Sequence, residues 1–401
     1  MEIKLLGTLT QRKIGYGIVQ PGDSIPNGVP VIKVNNIISG LHEIQDLDTT
    51  SSENSLKYNR TKLVGGELLV SVVGTIGKTA IVPPSFAGCN IVRAVAMIDI
   101  PNPEMALWVK YYIDSPSGKK YIQENLNTTV QPTLNVKSLV EMPIPLLEPE
   151  YMHNAIKILS TIDNKIELNN RINHNLEQQA QTLFKSWFVD FEPFKDGKFV
   201  DSEIGLIPEG WNVQPLSTIL EYSKKSINPQ KYPETIFTHY SLPAYDNSKE
   251  PEVQKGYEIM SNKFVVEENM ILFSKLNPRI KRIWYIDDIP ANSICSTEFI
   301  AYKALDTNAY PFCWCYLNSD MFYDKIMSSV NGATGSHQRF HAEETLDICF
   351  PYNKDAIQSF STLIKPMLGS IVKNEAEIRV LKNERDFLLP QLMNGKMKVN
   401  N

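Results

Sequence analysis

A chain of 401 residues, 42% hydrophobic and 21% charged, is long enough for two ordinary domains with their own cores. Its apolar runs are too short to span a bilayer, and the N-terminal MEIKLLGTLTQRK lacks the apolar stretch of a signal peptide. Five scattered cysteines without a CxxC pair predict reduced thiols in a cytoplasm, and a net charge of −5 leaves any nucleic-acid binding to local basic patches.

In chain order, residues 1–148 read as a globular unit of short strands with turn signals and one helix from Glu104 to Asn125. Inside it, VVGTIGKTAIVPP (Val72–Pro84) raises the possibility of a phosphate loop. Such a loop needs G-x-x-x-x-G-K-[ST] and must open a helix. Here Gly74 and Gly77 stand three apart, and the following TAIVPP is strand-like and stopped by prolines. A hairpin turn whose glycines supply the backbone angles is the better reading. Residues 149–190 have a helical period and read as a long helix. Residues 191–210 carry Pro, Gly and Asp and read as a linker. Residues 211–353 form a second globular unit with a helix from Tyr310 to Val330, and residues 354–394 a second long helix. Pro366 predicts a kink or a late start in that helix, and Pro390 and Gly395 are stop signals.

The chain is written twice, at a shift of about 205 residues. GELLVSVVGTIGKTAIV (Gly66–Val82) aligns with NMILFSKLNPRIKRIWYI (Asn269–Ile286), so that Ser71 meets Ser274. Cys89 in CNIVRAVAMI meets Cys295 in CSTEFIAYKA, and Trp108 meets Trp314. The long helices repeat as well. Leu159, Ile162, Ile166, Asn169, Asn173, Leu176, Ala180, Leu183 and Trp187 alternate spacings of three and four. The same steps fall on Ile364, Met367, Ile371, Asn374, Ile378, Leu381, Arg385, Leu388 and Leu392. A polar seam residue such as Asn169 or its counterpart Asn374 costs stability but fixes register. Two helices of ~35 residues, each ~50 Å long, packed antiparallel on this seam, would act as a spacer between the globular units. The result is a pseudo-two-fold chain, the symmetry that suits two separated half-sites on a duplex.

The order of these features resembles the specificity (S) subunit of a type I restriction–modification system. The resemblance rests on GELLVSVVGTIGK and its counterpart ENMILFSKLNPRI, and on QPTLNVKSLVEMPIPLLEPE leading into the first long helix. It rests also on DSEIGLIPEGW (Asp201–Trp211) opening the second unit and on LLPQLMNGK near the C-terminus. It covers essentially the whole chain. The first junction, LEPEYMHNAIK, departs from the EQ-type start common in the family. The resemblance implies an α+β fold of two target recognition domains separated by an antiparallel coiled coil. Each domain would read half of a bipartite, asymmetric site in double-stranded DNA. The helices would set the spacing and dock two methyltransferase (M) subunits, with two restriction (R) subunits joining them. S-adenosylmethionine, ATP and Mg2+ are then expected only in those partners, and the S subunit itself is expected to hold no cofactor and to catalyse nothing.

Candidate DNA contacts lie on the loops. KLNPRIKR offers Lys275, Arg279, Lys281 and Arg282 without an acidic residue, suited to phosphates and guanine edges; the plain alternative is a solvated strand end. Thr75 and Lys78 occupy the matching turn of the first unit. Ser336, His337, Gln338 and Arg339 follow the glycine-rich NGATG, and Thr128, Thr129 and Gln131 sit in the matching place. Lys119 and Lys120 read equally well as a solvated helix face. Trp108 and Trp314 are expected in the cores, and His153 and His174 on the helix surface. No [DN]PP[FY] tetrapeptide, glycine-rich cofactor loop or Walker A sequence is present. Two other readings stay open on sequence alone: an enzyme using Gly74–Lys78 or a nuclease site, and a coiled-coil scaffold.

Overall fold

The computed structural model describes residues 2–41, 43–127, 132–286, 289–329, 340 and 342–398. They divide into two compact units, Met1–Glu167 with Ile378–Asn401, and Leu168–Glu377.

The first unit is built on a four-stranded antiparallel sheet in the order Gly15–Tyr16, Val95–Ile98, Leu68–Ser71, Thr79–Ile81. The two central strands, LLVS and VAMI, are buried at every position, which is why they read as continuous apolar runs. Alternate side chains serve different cores. Leu68, Val70, Ala96 and Ile98 join Trp108 and Tyr111, whereas Leu69, Val95 and Met97 join Ile32, Phe86, Cys89 and Ile91. A second sheet, Thr49–Thr50, Val29–Ile32 and Asn90–Ile91, contains the parallel pair Val31↔Asn90. The N-terminal strand Glu2–Leu5 pairs with Pro143–Leu146.

The second unit repeats this plan. Its four-stranded sheet runs Leu220–Ser223, Phe299–Ala304, Met270–Ser274, Ile283–Tyr285, and Asn212–Pro215 pairs with Cys349–Tyr352. Ile271, Phe273, Ile300 and Tyr302 enter one core, and Met270, Leu272, Phe299 and Ala301 the other. The accompanying sheet has grown to five strands around the parallel pair Thr238↔Ser293. Trp108 and Trp314 are both buried, and the indole N–H of Trp108 donates to the Pro145 carbonyl at 2.8 Å. Burial raises the thiol pKa of Cys89 to about 11 and of Cys295 to about 12, so neither serves as a ready nucleophile.

Several sequence expectations are corrected. The helix expected over Glu104–Asn125 is two helices, Pro103–Asp114 and Pro116–Glu124. Ser115 between them is extended; its hydroxyl accepts from Gly118 N–H and donates to the Tyr112 carbonyl, and Pro116 opens the next helix. A Cβ on Gly118 would come within 2.1 Å of the Tyr112 carbonyl oxygen, so the tight corner requires glycine. The counterpart expected over Tyr310–Val330 likewise breaks at Ser319, giving Tyr310–Asn318 and Asp320–Ser329. The segment expected as a linker is structured. Glu192–Phe194 makes a turn, Phe199–Ser202 pairs with Gly205–Pro208, and Phe191, Ile207 and Trp211 enter the second unit's core. Its turn residues mark the bends of a hairpin. Finally, Pro366 neither delays the second long helix nor does Pro390 end it, since that helix runs Lys354–Met393. Buried residues around both prolines, Ile364, Leu368, Leu389 and Leu392, outweigh one lost backbone bond each. Gly395, at φ 64°, turns the chain just beyond the end.

The first long helix, Pro149–Phe188, and the second are 40 residues each, and the unit boundary falls inside both. Each unit therefore holds a section of the antiparallel pair. In the first, the Tyr151 hydroxyl donates to the Leu392 carbonyl and Arg385 reaches Asp163. In the second, Asn169 donates to Glu377 at 2.8 Å and Asn374 to Asn173 at 2.8 Å. The index rises on one helix as it falls on the other, which makes the pair antiparallel in both units. Of the seam, Leu159, Ile166, Asn169, Ile371 and Ile378 are buried, and Ile162, Leu176, Leu183, Leu381, Leu388 and Asn374 half-buried. Among the described residues no helix is long and apolar enough to cross a membrane.

The two units grip the helices differently. In the first, Lys110 lies 3.0 Å from Asp114 and 3.5 Å from Asp163; Tyr111 donates to Asp163, and Thr79 donates to Asp114. Burial alone would lower the Lys110 pKa, but the two carboxylates outweigh it and hold the ammonium above its ordinary value. At the matched seam steps of the second unit, Asp163 is replaced by Leu368 and Arg385 by Ala180, packed with Phe184, Phe312 and Phe360. Replacing Lys110 with methionine would leave Asp114 and Asp163 short of their shared cation. Thermal unfolding should show a loss of about 3 kcal/mol; an unchanged melting temperature would mean that the cluster does not hold this unit together.

Candidate nucleic-acid interface

In each unit the described turn that carries sequence-predicted contacts leaves one end of the central strands. In the first unit, Ser71 closes the strand. Its buried hydroxyl accepts from Lys78 N–H at 2.8 Å and donates to the Thr75 carbonyl at 2.6 Å, while its carbonyl accepts from Gly77 N–H. Gly74 and Gly77, at φ 77° and 81°, make the required left-handed bends. The segment is a hairpin turn entering the strand Thr79–Ile81, and two of the N–H groups a phosphate cradle would need are bonded to Ser71. Thr75 and Lys78 are exposed on this turn.

Two further segments are bonded to it. Val72 N–H donates to Ala94 in the tight turn Val92–Val95, and Leu134 N–H donates to Val72. Val73 also bridges to Thr133, and the Tyr16 hydroxyl donates to the Leu134 carbonyl. Thr133–Leu134 pairs with Leu126–Asn127, so both ends of the candidate loop 128–131 lie beside the turn. Thr129 and Gln131 themselves lie outside the described residues.

The second unit has the same arrangement with other side chains. Lys275 N–H donates to Glu298, the bond that Val72 makes to Ala94 in the first unit. Asn277, at φ 50°, takes a left-handed bend within the loop. Phe340 is buried with its ring 5.7 Å from Phe273, which anchors the chain next to the candidate loop 330–339. Ser336, Gln338 and Arg339 lie outside the described residues. The basic loop is not uniform. Arg282 makes a bidentate pair with Asp246 at 2.6 and 2.9 Å, and its side chain is only 12% exposed. Lys281 pairs with Asp320 at 2.9 Å and lies 4.4 Å from the Tyr323 ring centroid. Arg279 is exposed and Lys275 half-buried, and among the described residues neither has an ion pair. Two of the four predicted cations are thus committed within the protein.

Sequence reasoning passed over Arg93. It is exposed in the Val92–Val95 turn, bonded through its N–H to the Ile18 carbonyl, and it interrupts an otherwise apolar run. That interruption was the available signal. Elsewhere, His153 and His174 are exposed, the former 2.8 Å from Glu104, and Lys120 pairs loosely with Glu124 at 3.9 Å. Among the described residues, no three His, Cys, Asp or Glu side chains are grouped to hold a metal ion.

A duplicated α+β chain that displays two differing sets of loops on matched sheets has the build of a recognition subunit. The family model for the type I restriction modification DNA specificity domain matches residues 21–178. The type I restriction enzyme MjaIX specificity subunit of Methanocaldococcus jannaschii is 30% identical over 308 residues, covering 73% of this chain and 69% of that one. The EcoBI specificity subunit of Escherichia coli is 34% identical over 152 residues, 37% of this chain and 31% of its own. Among solved structures, the S subunit of a type I restriction–modification system from M. genitalium shares the fold, with a TM-score of 0.54 at 15% identity over 98% of this chain and 95% of that chain. This chain belongs to the type I restriction enzyme specificity subunits.

The Ser71 hydroxyl fixes the first unit's turn from below. Its replacement by alanine should speed hydrogen exchange at the Lys78 amide by roughly tenfold, the equivalent of one hydrogen bond of about 1.4 kcal/mol. Unaltered exchange would show that the glycines alone hold the turn.

Proposed function

We propose that this chain reads a bipartite, asymmetric site in double-stranded DNA, one half-site per globular unit, and performs no chemistry itself. The observation that carries this is the duplication. Each unit presents a turn and a second tight turn at the same end of its four-stranded sheet, and the side chains on those turns differ between units. Loops can vary without disturbing a buried sheet, so one scaffold can present two unlike recognition surfaces. The recognition domains are taken as residues 1–148 and 211–353. The long helices act as the spacer between them, each 40-residue helix being about 60 Å long. They also dock two methyltransferase subunits, which supply S-adenosylmethionine chemistry on an adenine in each half-site. Two restriction subunits add ATP- and Mg2+-dependent cleavage. Inside this assembly the loops supply positioning contacts to phosphates and selective contacts to base edges.

A genome-wide adenine-methylation map of the source cell, with and without this gene, tests the proposal. Methylation should vanish at one gapped, two-part motif; a map unchanged in cells that express the methyltransferase subunit would refute it. The second unit allows a finer test. In the assembled complex, Arg279→Ala should weaken DNA binding and make the slope of log affinity against log salt less steep by roughly 0.9. Arg282→Ala should instead lower the melting temperature, because its guanidinium is held by Asp246. Equal effects of the two substitutions on the salt slope would place both residues on DNA.

A further inference from the structure

Resting on that DNA-reading function, we infer that the first unit holds DNA along a strip the second unit does not possess. The strip runs from the Gly74–Lys78 turn over Arg93 to a groove formed by Gln20, Lys57 and Tyr58, and Arg93 is a phosphate contact within it.

The strip is continuous through hydrogen bonds. Val72 N–H donates to Ala94 at 2.8 Å, and Arg93 N–H donates to Ile18 at 2.7 Å. Ile18 leads to Val19 and Gln20, and the Asn54 side-chain amide donates to the Gln20 carbonyl at 2.9 Å. That bond ties the loop to the helix Ser52–Lys57, whose end supplies Lys57 and Tyr58. Val19, Gln20, Asn54, Lys57 and Tyr58 line an open groove of about 440 Å³. An open, mostly polar groove of this kind suits a nucleic-acid backbone better than an enclosed small molecule.

The available side chains fit that use. Arg93 is exposed, and among the described residues it has no carboxylate partner; its charge acts on the Tyr16 hydroxyl, which burial otherwise raises in pKa. Gln20 is exposed, and its side chain makes no hydrogen bond among the described residues. Among the described residues Lys57 pairs only with Glu53, one helical turn back at 2.9 Å, with both side chains more than half exposed. Such a pair is worth little and yields readily to a phosphate.

The second unit differs at the matched place. Ser71 pairs with Val95 in the first sheet and Ser274 with Phe299 in the second, which sets Arg93 opposite Thr297 and Ala94 opposite Glu298. The matched turn thus carries a hydroxyl and a carboxylate in place of a guanidinium. A backbone phosphate is attracted at one of these positions and repelled at the other.

The test uses the complex with its methyltransferase subunits and a duplex carrying the motif recovered by methylation mapping. Arg93→Ala should make the salt slope less steep by roughly 0.9, and Arg93→Lys should keep it. Phosphate-ethylation interference should lose sites in one half of the motif only. Lys57→Ala should remove further sites in that same half. A wild-type slope and footprint for Arg93→Ala would overturn the strip. Failure of the wild-type complex to prefer the motif would instead refute the DNA-reading function beneath it. Because Arg93 is exposed, the melting temperature of Arg93→Ala should be unchanged, which separates lost contact from lost fold.

Discussion

Both units depend on a pair of antiparallel strands buried on both faces. Leu68–Ser71 with Val95–Ile98, and Met270–Ser274 with Phe299–Ala304, feed alternate side chains into two separate cores. A one-residue slip in register would exchange the two sets and ruin both cores at once. The pair is therefore fixed, and so is the position of the serine at the end of each inner strand. What projects beyond Ser71 and Ser274 is constrained only by local turn chemistry, and there the units diverge. Glycines make the bends of one turn, whereas Asn277 takes a left-handed bend in the other. A buried, two-sided strand pair thus delivers a variable loop to an invariant place.

The attachment to the long helices follows a different logic in each unit. The first uses a half-buried ionic cluster of Lys110, Asp114, Asp163 and Arg385, with Tyr111 donating into it. Burial and then the Asp163 charge raise the Tyr111 phenol, which keeps it a donor at every relevant pH. The second uses an aromatic cluster in which the Phe188 ring lies 4.7 Å from Phe312 and 5.2 Å from Phe360. A charged cluster tolerates only its own partners, whereas an aromatic one offers area without directional demand. Matched positions with incompatible chemistry oppose exchange of the two units on the helix pair. The polar layers at Asn169–Glu377 and Asn173–Asn374 act in the same sense, fixing the register of the helices within the second unit.

How much of this was legible depended on the length scale of the signal. The seam was readable because a spacing of three and four, sustained over nine positions, matches the period of paired helices and of no strand or loop. The repeat was readable because the order of features persisted where identity did not. The breaks at Ser115 and Ser319 were missed because a single serine outweighs the apolar period only when its hydroxyl caps the next helix, a local event that periodicity averages away. The hairpin over 199–208 was missed for a related reason. Its Gly and Asp read as loop signals, and only the burial of Phe191, Ile207 and Trp211 shows that the segment belongs to a core. At the candidate interface, sequence named charged side chains but could not give the state of their charges. Nothing in KLNPRIKR reveals that Asp246, far away in the chain, already holds Arg282.

That distinction bears on how an acidic chain meets DNA. The electrostatic share of affinity comes from cations that release counterions on reaching phosphate, and a cation already paired with a carboxylate contributes less. With Arg282 and Lys281 paired internally, the second unit has fewer cations to offer than its sequence suggests, and the turn bonded to Lys275 carries Glu298. The first unit, with Arg93, Lys78 and a loosely held Lys57, is the better provided. Arg279 and Lys275, without an ion pair among the described residues, are the two predicted cations that the second unit's loop keeps available. Bidentate pairing of Arg282 with Asp246 has a mechanical consequence instead. It stiffens the base of the loop, and a stiff loop distinguishes bases by the cost of a misfit, whereas a free cation binds any backbone alike.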